Sequence, residues 1–61
     1  MRPKDISRLA QAGDEIDEVM GRLEDLIYSL TDEEDEEAVG EIVGFLQDAR
    51  YKVNDILPEP A

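Results

Sequence analysis

Apolar residues recur along this chain every seven positions, in two interleaved series. Ile6, Gly13, Met20 and Ile27 form one series, and Leu9, Ile16, Leu23 and Leu30 a second, offset by three. Series at positions a and d of a heptad describe a helix with one apolar seam. Ala12, Val19 and Leu26 widen that seam along the flanking g position. A stripe three positions wide suits a helix packed in a bundle better than a narrow two-stranded coil. The second half of the chain repeats the pattern with Val39, Leu46 and Val53 in one series and Ile42, Ala49 and Ile56 in the other. Ala38, Val43, Phe45 and Leu57 lie on the flanks. No segment alternates with the two-residue period of a strand, so the expected class is all-α.

Local signals place the ends of the helices. Thr31 followed by Glu34 has the form of a capping box, in which the hydroxyl accepts from the backbone N–H of Glu34 and the carboxylate reaches back. The acids Asp32 to Glu37 then fall in the first turns, where the helix dipole favours negative charge. Pro58 and Pro60 stop the second helix near Leu57. Asp5 or Ser7 is placed to cap the first helix, with Pro3 just outside it or in its first turn. The expectation is a single helical-hairpin domain over 1–61: a helix near 5–30, a turn at 31, a helix near 32–57 and a Pro-containing tail over 58–61. Folding the chain at Thr31 pairs Ile6 with Ile56, Leu9 with Val53, Gly13 with Ala49, Ile16 with Leu46, Met20 with Ile42, and Leu23 with Val39. Each layer joins an a to a d position, and the small Gly13–Ala49 layer would bring the helices close.

Size changes the picture from a hairpin to an assembly. A chain this short buries only ~60% of the surface its unfolded form exposes, and small domains usually need disulfides, metals or oligomerisation. The sequence has no Cys and no His, so disulfides, thiolate or imidazole metal sites and His-based acid–base chemistry are excluded. That leaves self-association. A hairpin buries one side of each helix, and Val19, Leu26, Val43, Phe45 and Leu57 are the expected dimer interface. Two hairpins packed this way form a homodimeric four-helix bundle. Antiparallel packing would set each acidic loop beside the partner's basic end, with its Arg2, Lys4, Arg8, Arg50 and Lys52. Val19 and Phe45 are then expected near the two-fold axis. In length, hairpin layout and heptad layering the architecture resembles the Rop-like plasmid-encoded RNA-binding hairpins. The resemblance extends to architecture alone, because the outer positions here carry Asp14, Glu15, Asp17, Glu18, Glu24, Asp25, Glu41 and Asp48 rather than a basic face.

Charge narrows the functions. Seventeen acidic and six basic residues give a net charge of −11. Lys and Arg supply most of the affinity for a phosphate backbone or an anionic membrane, so direct nucleic-acid or membrane binding is not expected. There is no signal peptide and no apolar run long enough to span a bilayer. The expected location is cytoplasmic, and the size fits a complete small phage, plasmid or regulatory protein.

One enzymatic pattern stands out. Asp14-Glu15-Ile16-Asp17-Glu18 resembles the first acidic motif of the MazG-like all-α nucleotide pyrophosphohydrolases, and Glu37-Ala38-Val39-Gly40-Glu41 resembles their second. The resemblance implies Mg²⁺ held by Glu15, Glu18, Glu37 and Glu41, with hydrolysis of a nucleotide pyrophosphate bond. The chain departs from that family in being shorter, in carrying Glu41 where an Asp stands, and in placing the four carboxylates at outer helix positions. Asp32 to Glu37 lacks the Gly-centred, alternating ligands of a Ca²⁺-binding EF-hand. The expected function is therefore non-enzymatic, with no cofactor: a small helical interaction or regulatory protein with an unidentified, basic protein partner. An acidic mimic of nucleic acid, inhibiting a DNA- or RNA-binding protein, is the nearest alternative.

Overall fold

A computed structural model describes residues 1–58 of the chain. Two helices, α1 (Pro3–Ser29) and α2 (Glu33–Ile56), pack against each other as a hairpin 45 Å long and 16 × 15 Å across. Pro3 occupies the first turn of α1, where its missing N–H has no helical acceptor to lose. Neither Asp5 nor Ser7 caps the helix: Arg2 precedes it in extended conformation with no side-chain cap, and its carbonyl accepts from the N–H of Ile6 at 3.0 Å.

Leu30, Thr31 and Asp32 join the helices. Leu30 turns extended, and its N–H is shared between the carbonyls of Leu26 and Ile27 at 3.1 and 3.2 Å. The Ser29 hydroxyl also donates to the Leu26 carbonyl, at 2.8 Å, so that carbonyl at the helix end accepts two hydrogen bonds. The N-cap of α2 is Asp32, not Thr31. Its Oδ1 accepts from the Glu34 N–H at 3.0 Å, and its carbonyl accepts from the Glu36 N–H. A carboxylate is a better acceptor than a hydroxyl at the positive end of a helix, which accounts for the shift of one residue. At the far end Leu57 leaves the helix, in the extended conformation that a residue preceding proline favours. The part of the expected tail that contains Pro60 lies outside the described residues.

Every a and d position of the α1 seam is buried or half-buried, from Ile6 to Leu30. The seam of α2 differs from the expected one. Val39, Leu46 and Val53 face α1 as anticipated, but their partners are Glu36, Val43, Arg50 and Leu57. Ile42, Ala49 and Ile56 are exposed instead. The expected layers Ile6–Ile56, Gly13–Ala49 and Met20–Ile42 are therefore replaced. α2 is rotated by one heptad position about its axis, so that Gly13 lies against Arg50 and Val53. The cause is local. A Cβ at Gly13 would meet Arg50 Nη1, and would stand 3.0 Å from Arg50 Cζ and 3.1 Å from Val53 Cγ1. Only glycine leaves space there for a guanidinium to enter the seam.

Candidate interaction surface

With the seam of α2 set by Glu36, Val39, Val43, Leu46, Arg50, Val53 and Leu57, both helices share one heptad frame. Ile6 and Glu36 each open an a position. In an antiparallel pair the two g edges lie on one side of the hairpin and the two e edges on the other. The two edges have opposite chemistry.

The e edge is polar and tied together. Arg50 reaches across it, donating from Nε to Asp17 Oδ2 at 3.0 Å and from Nη1 to Asn54 Oδ1 at 2.8 Å. Its Nη2 also faces Asp14 Oδ1 at 3.6 Å. Asp17 and Asn54 are both e residues, one from each helix, so these bonds also confirm which edges adjoin. The Arg50 side chain is 21% exposed, whereas Asp14 and Asp17 remain open to water on one side. Tyr28 and Tyr51 stand exposed on this same side, at b positions near opposite ends. A surface depression lined by Glu24, Ile27 and Tyr28 lies there as well, built from α1 alone.

The g edge is apolar and open. Val19 and Leu26 come from α1, Ile42 and Ile56 from α2, and each is 40–48% exposed. Phe45, at the adjoining c position, is 73% exposed. Ala12 and Ala49 fill the gaps in the same rows. Among the exposed large apolar residues described, only Met1, Tyr28 and Tyr51 fall outside this edge. Arg8, Glu15 and Arg22 on α1 and Lys52 on α2 are the charged residues at the c positions bordering it.

Of the residues expected at an interface, Val19, Leu26 and Phe45 lie on this edge. Val43 and Leu57 do not: they are half-buried in the seam, and Ile42 and Ile56 stand in their places. Sequence periodicity missed those two isoleucines because it assigned them to the interior. The signal for the exchange was the conjunction of Gly13, Asp14 and Asp17 opposite the lone Arg50. The four carboxylates considered as metal ligands are not gathered. Glu15 and Glu18 occupy outer positions of α1, Glu37 and Glu41 outer positions of α2, and all are exposed. Among the described residues no group of three or more Asp, Glu, His or Cys side chains is placed to hold a metal ion. No described helix is long and apolar enough to cross a membrane. Comparison of the chain with family models, with curated proteins and with solved structures gives no match.

Proposed function

We propose that the hairpin is a small non-enzymatic interaction protein that closes its apolar edge against a second copy, forming a homodimeric four-helix bundle, and that the dimer presents its acidic outer surface to a basic protein partner. The observation that carries this reading is the collection of Val19, Leu26, Ile42, Phe45 and Ile56 on one side of the molecule. The exposed area supports it. A compact monomer of 6.9 kDa exposes about 4,000 Å², whereas this chain exposes 5033 Å². The surplus, roughly 1,000 Å², is close to the ~800 Å² that each partner contributes to a specific interface of standard size. Among the described residues Val53 is the one large apolar side chain that is buried, so the hairpin alone has almost no dry core. Solution mass by light scattering tests the proposal. The wild-type chain should have the mass of two copies, and Ile42→Asp should give a poorly helical monomer. A wild-type chain that is a well-folded monomer at micromolar concentration overturns it.

One observation favours a more specific partner. Glu34, Glu41, Asp48 and Asp55 are all exposed and recur every seven residues along the outer line of α2. At the helical rise they stand about 10.5 Å apart. A regular row of carboxylates suits a groove that normally holds a nucleic-acid backbone, which is the mimic reading. Under it, the protein competes with nucleic acid for a basic protein, with an affinity that falls steeply as salt is raised. Neutralising Glu41 and Asp48 together should weaken that competition. Binding indifferent to both salt and these substitutions argues for docking through apolar contacts instead.

A further inference from the structure

We infer that the two copies pack antiparallel, with the two-fold axis crossing α1 at Val19, so that Glu15 of each copy pairs with the partner's Arg22. This rests on the dimer reading above and specifies its geometry. A two-fold axis lying in the plane of the apolar edge has two settings. Along the helices, it would bring both loops to one end and place the acidic run Asp32 to Glu37 beside its own copy. Like charges so concentrated disfavour that arrangement. Across the helices, the axis sets α1 against the partner's α1, running the other way. A residue on the border of the edge then faces a residue equally far beyond the axis.

Glu15 and Arg22 occupy successive c positions on that border, and the midpoint between them falls next to Val19. A two-fold at that height makes two symmetry-related Glu15–Arg22 pairs. The contacts of Arg50 with Gly13 and Asp17 show that Phe45 lies at nearly the same height on α2. The same axis therefore sets Phe45, the most exposed residue of the edge, against its own copy, where its ring leaves water. Lys52 falls over the acid-rich first half of the partner's α2. One axis thus gives Glu15, Arg22, Phe45 and Lys52 complementary neighbours, as an isologous interface requires.

The chain has no cysteine, so Thr31→Cys introduces a single labelling site in the loop. Pulsed dipolar spectroscopy on the spin-labelled dimer should give a label separation on the order of 36 Å, the length of α2 at the helical rise. A separation below ~20 Å, about two helix spacings, would mean a parallel dimer and overturn this geometry while leaving dimerisation intact. Absence of dipolar coupling would mean no dimer, and both proposals fail together. The pairing is tested separately by charge exchange. Glu15→Arg and Arg22→Glu should each weaken dimerisation roughly fivefold, and the double exchange should recover most of the loss at unchanged helicity. A double variant as weak as the two singles combined would show that these residues do not meet.

Discussion

The guanidinium of Arg50 lies against the backbone of Gly13, in space that any side chain at that position would claim. This contact decides which side of α2 faces α1, and therefore which residues are left outside. It makes the glycines of the chain unequal. Gly13→Ala places a methyl group against Arg50 Nη1 and Val53 Cγ1. Arg50 must swing away from Asp17, and the cost of overpacking, about 1–3 kcal/mol, outweighs the ~1 kcal/mol by which Ala favours a helix. Net destabilisation is expected. At Gly21, Gly40 and Gly44 a Cβ would meet nothing within 4 Å, and all three lie at b and e positions, away from the apolar edge. Alanine at each should raise stability by up to ~1 kcal/mol. Urea melts of the four single variants check the opposite signs.

The carboxylates around Arg50 are also unequal. Asp17 meets Arg50 Nε at 3.0 Å and is 51% exposed, whereas Asp14 faces Nη2 at 3.6 Å and is 79% exposed. Exposed pairs are screened and contribute at most about 1 kcal/mol. Asp17→Asn should therefore lower stability by a few tenths to ~1 kcal/mol, and Asp14→Asn by less. Raising salt should narrow the difference, since screening weakens the Asp17 pair most. Denaturant melts of the two variants at low and high salt measure both effects.

The rotation of α2 also explains what the sequence made legible. On α1 the seam from Ile6 to Leu30 could be read directly, because charged and polar residues fill most of the remaining positions and Val19 and Leu26 are the only large aliphatic residues that compete for burial. On α2 two seams share Val39, Leu46 and Val53. One adds Ile42, Ala49 and Ile56; the other adds Val43, Arg50 and Leu57. They differ by about 50° of helix rotation, and hydrophobicity alone favours the first because the second contains an arginine. What reverses the choice is three-dimensional: the gap at Gly13, with Asp17 and Asn54, one from each helix on the e edge, to receive the guanidinium. The same rotation moves Val43 and Leu57 inward and Ile42 and Ile56 outward. The apolar edge was thus legible in part, at Val19, Leu26 and Phe45. The rest depended on a cross-helix contact that no periodicity reports.

The start of α2 offers a test confined to one turn. Thr31 and Asp32 both have the chemistry of an N-cap, and the capping-box spacing from Thr31 to Glu34 made the threonine the expected choice. The bond is made by Asp32, whose Oδ1 accepts from Glu34 N–H, with Glu33, Glu34, Asp35 and Glu36 following in the first turn. Those four acids interact favourably with the helix dipole but repel one another, so the turn depends on an acceptor held at the cap. Asp32→Ala should cost about 1 kcal/mol, while Asp32→Asn or Asp32→Ser, which keep an acceptor oxygen, should lose only part of that. Thr31→Ala should change stability little, because its hydroxyl caps nothing in the fold. Thermal melts of the four variants decide the matter. If Thr31→Ala proves the more damaging substitution, α2 begins one residue earlier and the cap assigned to Asp32 is wrong.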